Sequence, residues 1–123
     1  QRKTSLRVVD DQISSPTYTA HLADGLLNLI DVQARGFVNV ACSGCCSCRE
    51  FALAIVGSVG QNVPVEPLTT AALNLPALRP AYSVLDTSRY TAVTGKPLPS
   101  WQEGLRAYMA QEPLASMVRD AAP

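Results

Sequence analysis

Apolar positions recur with two different periods along the chain, and together these periods predict strands mixed with helices. Short, partly β-branched apolar runs at 6–9 and 37–41 predict strands. Between them, apolar residues at helical spacing predict a helix over 19–31. We expect one buried stripe on this helix, formed by Leu22, Ala23, Leu26, Leu27 and Ile30.

A serine followed three residues later by a glutamate marks the start of two further helices. Ser47 with Glu50, and Ser100 with Glu103, fit the capping box. In that arrangement the serine accepts a hydrogen bond from an unpaired amide, and the glutamate reaches back to the serine amide. The sequence therefore predicts helices that begin just after Ser47 and just after Ser100.

Prolines and polar residues divide the remainder of the chain. Segment 63–68 contains two prolines, which remove hydrogen-bond donors, so it is predicted to be an edge strand or an uncovered segment. Residues 10–17 and 69–86 read as loops, and loops as long as the second are usually functional or disordered. Thr87 or Ser88 is then expected to cap a short helix that ends by Gly95.

These elements predict an α/β class with a small partial sheet and three to four helices. The strands look like pieces of a larger sheet, because parallel strands need neighbours on each side. We expect one domain over 1–112 and a C-terminal tail over 113–123.

Composition and charge narrow the possible partners. Apolar residues make up 47% of the 123 residues and charged residues 16%, which is typical of a globular protein. Ten basic side chains balance ten acidic ones, so neither nucleic acid nor an anionic membrane is an expected partner. No apolar run approaches the ~20 residues of a membrane span, and we expect a cytoplasmic protein.

Four motifs follow one another in an order that is typical of one enzyme family. They are V-V-D-D-Q-I-S-S-P-T-Y at 8–18, S-x-x-E-F-A at 47–52, R-P-A-Y-S-V-L-D-T at 79–87 and L-P-S-W-Q-E-G-L at 98–105. Their order and spacing resemble those of the dTDP-4-dehydrorhamnose reductases, extended short-chain dehydrogenases that use NADPH to make dTDP-rhamnose. The resemblance implies the C-terminal, substrate-binding part of such an enzyme.

The sequence departs from the family pattern at a few positions. Ser14 stands where the family usually has Gly, His21 where it has Asp, and Cys48 where it has Trp. These changes fall on the substrate pocket and on the start of the second predicted helix.

Two elements that the family reaction needs are absent from the sequence. One is G-x-x-G-x-x-G after a first strand, which holds the cofactor pyrophosphate on backbone amides. The other is Tyr-x-x-x-Lys, and none of the four tyrosines is followed by a lysine at that spacing. We therefore expect this chain alone to lack the N-terminal Rossmann half, to bind no cofactor and to catalyse nothing. The resemblance implies that NADPH and the oxidoreductase activity belong to the complete family enzyme.

Four residues are candidates for binding a sugar nucleotide. The resemblance implies that Arg79 grips the diphosphate, a task that suits the planar fork of a guanidinium. The alternative is an exposed arginine on a loop. Gln12, Ser15 and Thr17 match a family loop beside the active-site cleft, and their alternative role is to bond to nearby backbone groups.

Four cysteines fall within seven residues, at Cys42, Cys45, Cys46 and Cys48. The C-x-x-C spacing of the first two invites a metal or redox interpretation. Zinc sites, however, usually draw their ligands from two separated pairs. The sequence therefore favours free thiols in a tight turn over a metal site.

Two functions follow from these observations. In the first, the chain is the dTDP-sugar-binding part of an NADPH-dependent reductase and needs a Rossmann-domain partner. In the second, it is a stand-alone, non-catalytic module derived from such an enzyme, which serves in assembly or partner binding. Both predict a homo-oligomer or a complex, because a fragment of a larger sheet exposes strand edges and apolar surface.

Overall fold

The computed structural model describes residues 5–111. They form four α-helices and two small sheets, joined by loops and a 3-10 helix. The helices are α1 (Thr19–Asp31), α2 (Cys48–Ser58), α3 (Ser88–Thr94) and α4 (Trp101–Met109). The strands are β1 (Leu6–Val9), β2 (Ile13–Ser14), β3 (Cys46–Ser47) and β4 (Val65–Leu68). This confirms the predicted α/β class. The predicted boundary between 112 and 113 lies outside the described residues.

Each sheet joins segments that are far apart in the sequence. β1 pairs with β4 in parallel, with Leu6 opposite Val65, while β2 pairs with β3 in antiparallel. β4 contains Pro67, and within residues 5–111 it has only β1 as a neighbour. The edge strand expected from the prolines is therefore confirmed.

Both predicted capping boxes are present. The Ser47 hydroxyl accepts from the Glu50 amide at 3.0 Å, and the Ser47 amide donates to the Glu50 carboxylate at 2.7 Å. Ser100 and Glu103 repeat the arrangement at the start of α4, at 3.2 and 2.8 Å. The two boxes explain why α2 and α4 begin where the sequence predicted.

The short helix α3 lies where it was expected but is capped differently. Thr87 occupies the cap position without a side-chain hydrogen bond to the helix. The Asp86 carboxylate instead accepts from the Ser88 amide at 2.8 Å. A carboxylate at a helix N-terminus also interacts favourably with the helix dipole.

The core lies where α2 and α4 meet the turn that precedes α2. Trp101 and Leu105 of α4 are buried there with Cys42 and Cys46, and the Phe51 ring meets Trp101 edge-on at 5.8 Å between ring centroids. The remaining buried apolar residues are Ala41, Val65, Tyr90 and Leu98. A core this small leaves much of the apolar surface uncovered.

The prediction of a strand at 37–41 is wrong. These residues are extended but belong to no strand ladder in the described part of the chain. A strand is defined by hydrogen bonds to a neighbouring strand, and no strand pairs with this segment within residues 5–111.

The prediction of a buried apolar stripe on α1 is also wrong, although the helix has the predicted bounds. Leu26, Leu27 and Ile30 are exposed, with Ile30 at 69%. The only buried residue of the helix is Gly25. Only a narrow side of α1, centred on Gly25, packs against other described residues. The large apolar side chains Leu26, Leu27 and Ile30 are exposed.

Candidate functional site

The loop formed by residues 10–17, called here the 10–17 loop, lies between two other segments. On one side the Ile13 amide donates to the Ala81 carbonyl at 2.8 Å, and the Ser83 amide donates to the Ile13 carbonyl at 2.9 Å. On the other side, β2 pairs with β3 at the start of α2. The structure thus brings together the two motifs that contain the predicted binding residues, 8–18 and 79–87.

Asp10 attaches the loop to α2 and to the edge of the parallel sheet. Its carboxylate accepts from the Ser47 hydroxyl at 2.6 Å and lies 3.8 Å from the Arg49 guanidinium. Arg49 also donates to the Val65 carbonyl in β4 at 3.1 Å. The capping serine of α2 therefore bonds to the helix and to the loop at once.

Asp11 and Gln12 attach the loop to the 3-10 helix Thr70–Leu73. The Asp11 carboxylate accepts from the Thr70 amide at 2.9 Å and from its hydroxyl at 2.6 Å. These bonds hold the pKa of Asp11 below its ordinary value of 3.8, because they stabilise the charged form. Gln12 donates its amide to the Thr70 hydroxyl at 2.9 Å. The side chain of Gln12 is thus engaged within the chain.

Ser15 and Thr17 hold the end of the loop. The Ser15 hydroxyl donates to the Gly44 carbonyl at 2.7 Å. The Thr17 hydroxyl donates to the Ser15 carbonyl at 3.0 Å and accepts from the Cys42 amide at 3.1 Å. Both side chains form the bonds to backbone that the sequence offered as their alternative role.

Arg79 stands apart from this bonded set. Residues 71–83 are all exposed, and Leu78 beside Arg79 is 100% exposed. Among residues 5–111 no side chain or carbonyl forms a hydrogen bond or an ion pair with the Arg79 guanidinium. Its five N–H donors are therefore open to an anionic ligand beside the 10–17 loop.

A cavity of about 190 Å³, which no sequence pattern indicated, lies at the far end of the same loop. It is lined by Pro16, Tyr18, Phe51, Trp101 and Tyr108, together with four smaller or aliphatic residues, Thr17, Thr19, Gly104 and Leu105. No charged side chain lines it, so a diphosphate would find no counter-charge there. The aromatic residues come from three separate segments, and this is why their convergence could not be predicted.

The cysteine turn does not form a metal centre in the described residues. Cys42 and Cys46 are buried and Cys45 is exposed. Burial, with the Glu50 carboxylate as a second cause, raises the pKa of Cys46 to about 11, and a metal ligand must be a thiolate. Within residues 5–111, no three side chains of His, Cys, Asp or Glu converge closely enough to hold a metal ion.

The glycines of the chain do not provide a cradle for a dinucleotide cofactor. Gly57 and Gly60 have the G-x-x-G spacing, but they lie at the C-terminal end of α2. A cofactor pyrophosphate needs the amides of a helix N-terminus, whereas a C-terminus presents carbonyl oxygens and repels an anion. The Gly57–Gly60 pair therefore does not suit a cofactor pyrophosphate.

We find no helix among residues 5–111 with the length and apolar character needed to cross a membrane.

Comparison with known proteins identifies relatives over most of the chain. A family model described as RmlD substrate binding domain matches residues 1–113. The spore coat polysaccharide biosynthesis protein SpsK of Bacillus subtilis is 39% identical over 111 residues, which are 90% of this chain and 38% of that protein. The dTDP-4-dehydrorhamnose reductase of Streptomyces griseus is 38% identical over 104 residues, 80% of this chain and 34% of that protein.

A solved structure agrees with the fold. The crystal structure of the Bacillus anthracis dTDP-4-dehydrorhamnose reductase in complex with NADP has a TM-score of 0.79 at 36% identity. The similarity covers 85% of this chain and 37% of that one. This chain therefore spans between 34% and 38% of the length of these three relatives.

Proposed function

This chain belongs to the family of RmlD substrate binding domains, and from that premise we propose that it binds the sugar nucleotide for an NADPH-dependent dTDP-4-dehydrorhamnose reductase. In this proposal it holds a dTDP-sugar, and a separate α/β part holds NADPH and supplies the proton donor. The chain alone catalyses no reduction.

The observation that carries the proposal is the exposed Arg79 beside a rigidly held loop. Hydrogen bonds between Ile13 and residues 81–83 fix the backbone close to Arg79. The guanidinium itself forms no bond within the described residues, and its fork matches two phosphate oxygens. An exposed arginine two residues from an anchored backbone position, with its guanidinium free, is suited to grip a diphosphate.

Gln12, Ser15 and Thr17 have a supporting role in this proposal. Their side chains already bond to Thr70, Gly44 and Ser15 respectively. A ligand could bond only to the lone pairs and amide hydrogens that these internal bonds do not use. We therefore expect each of the three side chains to contribute less to the binding free energy than Arg79 does. They set the shape of the loop against which the nucleotide lies.

Two features support the need for a second part. The glycines of this chain do not suit a pyrophosphate, and the relatives have nearly two thirds of their length outside the matched region. The Bacillus anthracis relative was crystallised with NADP, so its complete chain can hold that cofactor. The predicted cytoplasmic location and homo-oligomer remain predictions.

Isothermal titration of the purified chain with dTDP-rhamnose tests the proposal. We expect weak binding, in the millimolar range that corresponds to about 4 kcal/mol, because only part of the pocket is present. Arg79→Ala should weaken it by about 10-fold or more, since a charge-assisted hydrogen bond contributes about 1.5–3 kcal/mol. Arg106→Ala, which removes an exposed arginine from α4, is the matched control and should bind like the parent chain.

The same titration separates this function from the second candidate, a non-catalytic assembly module. An absence of heat at millimolar dTDP-rhamnose would contradict the proposal. Binding that is equally weakened by Arg79→Ala and by Arg106→Ala would show only a general charge effect. The module is favoured by one observation, the exposed apolar side chains such as Phe37, which is 98% exposed.

A further inference from the structure

The stretch of chain that contains Arg79 runs between two attachments to the 10–17 loop. We call residues 71–80 the Arg79 segment, and all of them are exposed. After its C-terminal end, residues 81–83 bond to the Ile13 backbone. Before its N-terminal end, Thr70 bonds to the Asp11 carboxylate. Neighbouring residues of the 10–17 loop therefore support the Arg79 segment at both ends.

The attachment at Thr70 uses both the side chain and the backbone of that residue. The Thr70 hydroxyl donates to the Asp11 carboxylate at 2.6 Å and accepts from the Gln12 amide at 2.9 Å. The Thr70 backbone amide donates to both oxygens of the same carboxylate, at 2.9 and 3.0 Å. Two donors of one residue thus converge on one charged acceptor, which restricts the direction of the chain as well as its distance.

Asp11 is itself a fixed support, because paired backbone lies on both sides of it. Before it, the Asp10 amide donates to the Leu68 carbonyl at the end of β4, at 3.0 Å. After it, Ile13 pairs with Ser47. The hydrogen bonds that the Asp11 carboxylate accepts lower its pKa, so the carboxylate is charged at neutral pH. Thr70 is therefore held by a charged group whose own backbone is anchored.

Between its two attachments the Arg79 segment has few bonds. The Asn74 amide donates to the Ala71 carbonyl within the 3-10 turn, and no backbone–backbone hydrogen bond in residues 5–111 holds 75–80. A 3-10 helix of one turn has poor hydrogen-bond geometry, so it depends on outside contacts. Release of Thr70 would therefore extend the unsupported chain from 75–80 to 69–80, which doubles its length.

We propose that Asp11 and Thr70 are positioning residues for Arg79. Their contact holds the Arg79 segment where the guanidinium meets the diphosphate of a dTDP-sugar. Asp11 does not bind the ligand itself, because its negative charge and that of a diphosphate repel each other. This inference rests on the proposed function for the identity of the ligand.

Loss of the contact should weaken binding of dTDP-rhamnose, measured by NMR titration of the full chain. Doubling a flexible segment lowers the effective concentration of its far part, so Asp11→Ala and Thr70→Val should each raise the Kd by about 3-fold. The side effects of both variants act in the opposite direction. Asp11→Ala removes a charge that repels the ligand, and Thr70→Val frees the Gln12 amide for it. Weaker binding therefore identifies a positional effect.

A second measurement needs no sugar nucleotide. Backbone order parameters from NMR relaxation should fall at residues 71–74 from about 0.85 in the parent chain to below about 0.6 in both variants. Thr70→Ser keeps the hydroxyl and should retain the order parameters and the Kd of the parent chain. Asp24→Ala removes an exposed carboxylate from α1, is the matched control for Asp11→Ala, and should change neither quantity.

The two measurements separate this inference from the proposed function. Parent-like order parameters in Asp11→Ala would overturn the inference, and so would an unchanged or lower Kd in that variant. If Asp11→Ala does not fold, the same two outcomes in Thr70→Val decide. If the parent chain does not bind dTDP-rhamnose but both variants lose order at residues 71–74, the proposed function is contradicted, whereas the support that Asp11 gives to the Arg79 segment is confirmed.

Discussion

At the scale of single residues, two glycines of this chain have opposite environments although both lie within helices. Gly25 faces Val40 and Leu98, whereas at Gly57 no described atom outside the neighbouring residues and the backbone of its own helix lies within 4 Å of the position that a Cβ would take. The sequence showed only that Gly25 weakens its helix. The structure gives the reason for a glycine there, which is the close approach of two other segments.

Alanine at these two positions should therefore change the free energy of unfolding in opposite directions. Gly57→Ala should stabilise the chain by about 0.5–1 kcal/mol, because glycine is a poor helix residue. Gly25→Ala gains the same amount, but its Cβ would lie 3.0 Å from Val40 Cγ1 and 3.2 Å from Cδ1 of the buried Leu98, which is closer than ordinary van der Waals contact. Since overpacking costs about 1–3 kcal/mol, we expect a net loss of up to about 2 kcal/mol.

Urea unfolding of the parent chain and of both variants measures these changes. A stabilisation of similar size in both variants would show that the contact at Gly25 is not tight.

The four thiols should differ in reactivity because their environments differ. At neutral pH, iodoacetamide should modify the exposed Cys45 first and leave the buried Cys46 unmodified, since the pKa of Cys46 is raised to about 11. Peptide mass spectrometry after a short exposure gives the order of modification. The denatured chain is the control and should be modified at every cysteine. Early modification of Cys46 in the folded chain would contradict this account.

At the scale of elements, local signals in the sequence predicted the helices and the strands β1 and β4, but the strand predicted at 37–41 is absent from the described residues. The starts of α2 and α4 follow from capping boxes, whose hydrogen bonds join residues only three positions apart. The segment 37–41 has the composition of a strand, but its ladder depends on a neighbour that the sequence pattern does not contain. The burial of Leu26 and Leu27 was mispredicted for the same reason, since periodicity shows that a face is apolar and not what covers it.

The 10–17 loop was predicted as a loop, but its tertiary bonds were not. Gln12, Ser15 and Thr17 were candidates from the sequence, but no pattern indicated that Asp11 would bond to Thr70. That pairing joins the 10–17 loop to the 3-10 helix Thr70–Leu73, and the two segments share no periodicity or motif. Only the folded chain brings them together.

The bond between these two segments should weaken in acid. The folded pKa of Asp11 lies below its ordinary value of 3.8, so the stabilisation is fully present above about pH 4 and is lost as the pH falls through the folded pKa. The Thr70 amide resonance, followed by NMR from about pH 6 downward, should therefore shift with an apparent pKa below 3.8.

Asp11→Asn is the control for this titration, because its amide oxygen still accepts from Thr70 but does not titrate. The shift of the Thr70 resonance should disappear in this variant. An unchanged shift would mean that another carboxylate is responsible.

At the scale of the whole molecule, four motifs were enough to predict the family, and the match over residues 1–113 confirms it. The α/β class is confirmed as well. Exposed apolar surface was expected, because the predicted strands resemble pieces of a larger sheet. Its position on α1 and 37–41 could not be predicted, because the helix periodicity favoured an interior stripe at the same residues.

The parallel pairing of β1 with β4 affects how this chain reaches its fold. β1 pairs with a strand that follows it in the sequence only after α1 and α2. The entropy of closing so long a loop must be overcome before that pairing contributes any stability, which slows folding. During synthesis β1 will therefore remain without its partner until β4 has left the ribosome, while α2 can form earlier from its own capping residues.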